Sequence, residues 1–234
     1  EICACLVGSE MCIRDRGKAK YILKPGGTLG DLYTNSDLVY NDDGYIEVDK
    51  NGNVAVKDDY MDDIYLGSVF PKYNLAWRND FNYKGINLGV LFTARIGGIC
   101  YSATQANMDL YGVSEASAAA RDAGGVMING RDMIDAQKWY QVIGSQSGLP
   151  QYYTYSATNV RLQELSLGYT LPSKWFRDKM RMTVSFVGRN LWMIYCKAPF
   201  DPEAVASTGM NYQGIDYFMM PSMRNLGFNV KFQF

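Results

Sequence analysis

Residues 224–234 read RNLGFNVKFQF. In an extended strand Leu226, Phe228, Val230, Phe232 and Phe234 fall on one face, and Asn225, Gly227, Asn229, Lys231 and Gln233 on the other, because successive side chains point to opposite sides. One face is apolar and the other polar. Such a strand needs a dry environment on one side and a wet one on the other. Two settings supply that: a half-exposed soluble sheet, or a barrel wall between lipid and a watery lumen.

The same period of two recurs upstream. Leu75, Trp77, Phe81 and Tyr83 alternate with Ala76, Arg78, Asp80 and Asn82, and Asn79 interrupts the apolar side. Ile86, Leu88, Val90, Phe92, Ala94 and Ile96 alternate with a mixed face carrying Asn87, Thr93 and Arg95. The connector between these runs is Lys84-Gly85, and a two-residue turn there pairs Tyr83 with Ile86, Phe81 with Leu88 and Trp77 with Phe92, which puts both apolar faces on one side of the hairpin. From Asn159 a further strand carries Arg161, Gln163, Leu165, Leu167, Tyr169 and Leu171 on a face that turns apolar only from Leu165 onward, so it reads as wet at one end. Met182, Val184 and Phe186 alternate with Arg181, Thr183 and Ser185 up to Gly188, Arg189 and Asn190.

Composition narrows the function classes. The 234 residues carry 23 basic and 24 acidic side chains, a net charge of -1, well mixed along the chain, so there is no electrostatic footprint for nucleic acid. His is absent, which removes the commonest general base and metal ligand. The 18 Tyr, 10 Phe, 4 Trp and 23 Gly favour strands, tight turns and interfacial rings. No run of about 18 apolar residues occurs, which excludes a transmembrane helix and leaves a transmembrane barrel open. Residues 1–16, EICACLVGSEMCIRDR, hold three of the five cysteines and do not fit a secretory signal. Their LVGSEMCIRDR resembles translated adapter sequence, and these residues are read as a non-native segment. Cys100 and Cys196 stand singly, without the spacing of a zinc site or redox pair.

The connections are unequal. Residues 24–27, KPGG, break a short strand that begins near Gly17, and a long polar stretch follows to Tyr73. Within it, Asn51-Gly52, flanked by Tyr45, Ile46, Val48, Val54 and Val56, predicts a small hairpin with a type I′ turn. The acidic cluster Asp42, Asp43 and Asp49 is read as solvated turn chemistry, since its spacing does not match an EF-hand loop. After Gly97-Gly98 some sixty residues lack a period of two, with short helices expected at 103–110 and 114–122, the second capped by Ser114. This insertion carries Trp139, Tyr140, Tyr152, Tyr153 and Tyr155, which suit stacking on sugars or peptides or, alternatively, packing of the loop on itself. Residues 172–179, PSKWFRDK, form a short connector with interfacial aromatics, and residues 195–223 a long one. Short connectors alternating with long ones are the asymmetry of outer-membrane barrels, with tight periplasmic turns and large extracellular loops.

Several ordered motifs then resemble one family. LQELSLGYTLP (162–172), GRNL (188–191), FDPE (200–203), QGIDY (213–217) and PSMR (221–224), with FPKY (70–73), YKG (83–85) and RIGG (95–98) upstream, are similar to the C-terminal end of SusC/RagA-type TonB-dependent outer-membrane transporters of Bacteroidota. The resemblance implies an all-β fold: antiparallel transmembrane strands forming the C-terminal part of a barrel of about 22 strands, with long extracellular loops carrying short helices. It further implies location in the cell outer membrane and TonB-dependent uptake of oligosaccharides or peptides. The implied partners are a SusD-like surface lipoprotein, a TonB complex reached through N-terminal parts not found here, and the barrel-assembly machinery. On this reading residues 17–234 are a portion of the barrel with the plug absent, a fragment of a longer protein.

If that topology holds, the periplasmic turns are Lys84-Gly85 and residues 172–179, whereas residues 25–73, 98–158 and 195–223 are extracellular. The lumen-facing candidates are Arg78, Asp80, Asn82, Arg95, Thr183, Ser185, Asn229 and Lys231. Lipid-facing candidates are Trp77, Phe81, Leu88, Val90, Phe92, Val184, Phe186, Phe228, Val230 and Phe232. Phe228, Phe232 and Phe234 resemble the C-terminal aromatic signal read by the barrel-assembly machinery. No catalytic residue, cofactor or metal site is expected. Asp201 and Glu203, two residues apart beside Pro202, have no defined separation across a substrate such as a glycosidase needs. The competing reading is a soluble or surface-anchored all-β glycan-binding module, which predicts shorter loops and a second sheet against the apolar face.

Overall fold

The computed structural model describes residues 19–58, 63–145, 148–176, 180–204 and 213–233. Residues 1–16, read from the sequence as a non-native segment, the start of the expected strand at Gly17, and Phe234 lie outside the described residues. In chain order, strands β1 (Ala19–Tyr21), β2 (Asp31–Thr34), β3 (Ser36–Leu38), β4 (Val56–Asp58), β5 (Ile64–Ser68), β6 (Tyr73–Tyr83), β7 (Ile86–Ile96) and β8 (Ile99–Ser102) precede helices α1 (Ala103–Leu110) and α2 (Glu115–Asp122). Then come β9 (Val126–Ile128), β10 (Asp132–Ile134), helix α3 (Ala136–Gly144), β11 (Thr154–Ser156), β12 (Asn159–Thr170), β13 (Arg181–Cys196), β14 (Ile215–Asp216) and β15 (Asn225–Gln233). Two compact units emerge, one from residues 71–98, 156–204 and 220–234, the other from the remainder.

The first unit is a single antiparallel sheet in the order β15-β13-β12-β7-β6, each strand beside its predecessor within the unit. Its strands are 11, 11, 12, 16 and 9 residues long, against about 9–11 for a tilted strand to cross a bilayer. Lys84 and Gly85 both have positive φ, 47° and 88°, which makes the connector a type I′ turn whose twist matches the flanking strands. The register is the one that turn length requires, with Tyr83 opposite Ile86, Phe81 opposite Leu88 and Trp77 opposite Phe92.

Because opposed residues share a face, register carries the partition across all five strands. One apolar row runs Phe81, Leu88, Leu167, Phe186, Phe228, and a polar row beside it runs Asn82, Asn87, Gly168, Ser185, Asn229. The short connectors share one end of this sheet, where Thr170 donates its backbone N–H to the Gly85 carbonyl at 2.7 Å. The connections that leave from Ile96 and Cys196, and the chain entering at Tyr73, lie at the opposite end, since Tyr73 opposes Ile96 and Asn159 opposes both Arg95 and Cys196.

Two strand expectations are corrected. A bulge between Leu162 and Glu164 inserts Gln163 as an extra residue, and one extra residue reverses the facing of everything before it. Arg161 therefore sits on the polar face opposite Thr93, and Val160 and Leu162 continue the apolar face, so the strand is not wet at one end. β13 also runs on past Asn190 to Cys196, which moves the start of the long connection to residue 197.

The second unit has a buried centre of Leu38, Val54, Tyr101, Ala103, Ala106, Ile128, Ile134, Trp139, Ile143, Leu149, Tyr153 and Ile215. Short polar caps set its helices. The Ser102 hydroxyl accepts from Gln105 N–H at 3.1 Å for α1, Ser114 from Ser117 N–H at 3.0 Å for α2, and Asp135 from Gln137 N–H at 2.8 Å for α3. Ser102 also donates to Asp216 at 2.9 Å, which fastens β14 parallel to β8. Gly144 lets α3 approach α1, because a Cβ there would lie 2.7 Å from the Ala106 carbonyl oxygen. Among the described residues no helix is long and apolar enough to cross a membrane.

The hairpin expected at Asn51-Gly52 takes a different turn. Only Gly52 of the pair has positive φ, 74°, and the Gly52 N–H donates to the Asp49 carbonyl at 3.0 Å. The Asp49 carboxylate, accepting from the N–H groups of Asn51 and Asn53 at 2.7 and 2.9 Å, organises the loop in place of a type I′ pair. Asn41 does the same eight residues earlier, accepting from Asp43 and Tyr45 at 3.1 and 2.9 Å.

Candidate functional site

The polar face of the five-stranded sheet is the first place where function-bearing side chains gather. Register sets all eight sequence-derived candidates, Arg78, Asp80, Asn82, Arg95, Thr183, Ser185, Asn229 and Lys231, on this one face. Arg78 Nε donates to Asp80 Oδ2 at 3.0 Å and Arg78 Nη1 lies 4.0 Å from Glu164 Oε1, while Arg189 Nε donates to Glu164 Oε2 at 3.0 Å. These four charges are thus matched among themselves across β6, β12 and β13. Glu164 and Arg189 were missed as candidates although they stand in LQELSLGY and GRNL, because only the bulge brings them opposite each other.

On the reverse face register gathers Trp77, Phe81, Leu88, Val90, Phe92, Val184, Phe186, Phe228, Val230 and Phe232. Trp77 stacks on Phe92 with ring centroids 5.7 Å apart. Trp77, Phe81, Phe228 and Phe232 are nonetheless 63, 58, 70 and 51% exposed.

A third grouping explains the FDPE motif. Arg161, whose side chain is only 5% exposed, donates from Nη2 to Asp201 Oδ1 at 2.9 Å and lies 3.3 Å from Glu203 Oε2. Asp201 also accepts the N–H groups of Glu203 and Ser222, both at 3.1 Å, so one carboxylate joins the wall strand to both ends of the connection between β13 and β15. Burial opposes its ionised form, but hydrogen bonds from Ser222, Glu203 and Arg161 outweigh that and hold its pKa below the ordinary carboxylate value. Both acids are engaged by one guanidinium, which is the geometry of an anchor and not of a glycosidase pair.

The five aromatic candidates of the long insertion do not form one exposed platform. Trp139 and Tyr153 are core residues, 8 and 3% exposed, and Tyr140 packs against that core. Tyr152 is more open and meets Trp139 edge-on at 5.9 Å, and Tyr155 is half-buried. What gathers three of these tyrosines is Asp109, a buried acid of α1 that the sequence reading passed over. Burial first, and then the charge of Asp109, raise the phenol pKa of Tyr140, Tyr153 and Tyr155, and burial alone pushes Tyr101 up to about 12. A pocket of about 180 Å³ opens here, lined by Asp109, Ser117, Arg121, Gln137 and Tyr140 together with the end of α1. Among the described residues no group of Asp, Glu or Cys is arranged to hold a metal ion.

No family model matches the chain. A curated relative, TonB-dependent receptor P3 of Formosa agariphila, is 25% identical over 198 residues, 80% of this chain and 19% of that protein. Among solved structures, the RagAB peptide importer in its open-open state matches with a TM-score of 0.59 at 14% identity, and in its closed-closed state with 0.53 at 16%. Each of these matches covers 91% of this chain and 24% of the solved one. The chain thus spans about a fifth of the curated relative and about a quarter of the solved chains. The resemblance to SusC/RagA-type transporters read from the motifs is borne out, and the fold is a stretch of antiparallel wall strands with long inserted connections.

Proposed function

We propose that this chain forms wall strands and surface loops of a TonB-dependent outer-membrane transporter that takes up oligosaccharides or peptides with a SusD-like lipoprotein. The observation that carries the reading is the partition of five membrane-length strands into one largely polar and one largely apolar face. In a bilayer the exposed aromatic face meets lipid, and the polar face lines the lumen. The relatives are receptors and importers, which accords with a role in transport without chemistry of its own. The end carrying Lys84-Gly85 is then periplasmic and the end carrying the long connections extracellular. Phe228, Phe232 and Phe234 serve the barrel-assembly machinery.

A glycan-binding sandwich fits less well, because a second sheet should cover the apolar face. Among the described residues the wall unit holds one sheet, and its aromatic residues are open. Cysteine labelling tests the assignment in cells. Asn229→Cys and Lys231→Cys should react with a small water-soluble maleimide, while Val230→Cys and Phe228→Cys should react only with a lipid-phase reagent. Equal aqueous labelling of all four, or recovery of the protein in the soluble fraction, removes the membrane reading.

A further inference from the structure

At the end of the sheet that carries the short connectors, the last apolar row runs Tyr83, Ile86, Tyr169, Val184, Val230. Its two tyrosines flank Ile86 and are 68 and 45% exposed. Cations stand directly beside them. Lys84, in the turn after Tyr83, holds its ammonium 5.2 Å from the centre of the Tyr83 ring, which puts this charge on the apolar side of the sheet. The Tyr169 ring borders the same turn, since a Cβ at Gly85 would lie 3.4 Å from Tyr169 Cε2. The second connector begins close by: Thr170 donates its N–H to the Gly85 carbonyl at 2.7 Å, and Leu171 its N–H to the Met182 carbonyl at 2.8 Å. That connector presents an exposed Lys174 next to Trp175, which is 71% exposed.

The wall's own acids are engaged elsewhere. Asp80 is held by Arg78, Glu164 by Arg78 and Arg189, and Asp201 and Glu203 by Arg161. Among the described residues neither Lys84 nor Lys174 pairs with a carboxylate. In sequence, residues 172–179 carry three bases against one acid. At a membrane interface amphipathic rings keep their bodies in hydrocarbon and their polar tips at headgroup level, where lysine ammonium groups also settle. We infer that this rim binds the headgroup of an anionic phospholipid, with Lys84 and Lys174 as counter-charges to its phosphate and Tyr83, Tyr169 and Trp175 packed beside its upper acyl chains. The inference rests on the membrane reading above and deepens it by naming the lipid class. A zwitterionic headgroup brings its own ammonium, whereas an anionic one gains about 1 kcal/mol, or about fivefold, for each cation at the surface.

Photocrosslinking in the full-length transporter tests it at the rim itself. With p-benzoylphenylalanine substituted at Trp175, which keeps an aromatic ring there, the protein is placed in nanodiscs made of equal parts phosphatidylglycerol and phosphatidylcholine, and the lipid adducts are weighed by mass spectrometry. Phosphatidylglycerol adducts should outnumber phosphatidylcholine adducts at least about fivefold, and Lys84→Gln combined with Lys174→Gln should lower that ratio at least about fivefold. Both lysines are exposed, so the double variant keeps the fold. Lys197→Gln, an exposed position just past the opposite end of β13, should leave the ratio unchanged. Equal adducts of the two lipids, an unchanged ratio in the double variant, or the same fall with Lys197→Gln overturns the inference. Fractionation of the same protein decides the membrane reading separately: a transporter that inserts in the outer membrane but shows no preference between the lipids fails only here, and one recovered in the soluble fraction fails on both counts.

Discussion

The two units reach stability by opposite routes. In the loop-built unit, short strands and the helices α1, α2 and α3 close around buried side chains such as Leu149 and Ile134, 1 and 2% exposed, and polar groups are spent on caps. In the wall unit the order lies in two dimensions: β6 and β15 are exposed along nearly their whole length, and register alone sorts apolar from polar. The difference teaches that the solvent is part of each fold. The loop-built unit makes its own dry interior, whereas the wall unit, on the proposed reading, needs one supplied on a single side.

The sharpest break in this comparison is at the anchor of the wall unit. Arg161→Met leaves Asp201 and Glu203 without their guanidinium and should destabilise by about 3–5 kcal/mol, read from thermal unfolding in detergent. The same anchor has a pH signature. The folded-state pKa of Asp201 is depressed, so its contribution is complete above the unfolded value near 4. It is lost as pH falls through the lower folded value. Asp201→Asn should therefore narrow its stability gap to the parent protein on acidification, and a gap independent of pH would contradict the clamp.

Next in size is a matched pair of tryptophans. Trp139→Ala should cost about 3–5 kcal/mol because a cavity opens in a closed core. Trp77→Ala, at a position 63% exposed, should be far milder in the same unfolding assay. Similar losses at both sites would erase the distinction between the units.

Charge placed on the two faces sharpens it from the other side. Val230→Arg at mid-strand should cost about 2–4 kcal/mol in a lipid bilayer, and Asn229→Arg, one residue away on the polar face, close to nothing. Refolding titrations into vesicles measure both. The smallest effect belongs to the loop unit: Ser114→Ala removes the α2 cap and should cost about 1 kcal/mol, seen as faster amide exchange in that helix.

Legibility followed the same divide. The alternation in residues 224–234 and the Lys84-Gly85 turn were readable because a strand's pattern has period two and a two-residue turn allows one register. Gln163 misled for the same reason: a single inserted residue inverts the pattern, and the apolar face of Val160 and Leu162 looked polar. In α3 the helical spacing of Ala136, Trp139 and Ile143 was present, but among Gln, Tyr and Gly it left ligand contact and packing of the loop on itself both open. The pairing of Ile215 with Tyr101 spans more than a hundred residues, and no local period announces it.

By itself, the sequence determined which residues share a face of the wall, because neighbouring side chains in a strand diverge whatever surrounds them. It also determined where the chain turns and which connections are long. Only the tertiary structure decided that Arg161 belongs to the polar face and anchors Asp201, that Trp139 and Tyr153 are core rather than surface, and that Asp109 stands behind Tyr140 in a pocket. Those outcomes depend on a bulge and on packing between distant segments. Their energies come from burial and charge, which no local pattern records.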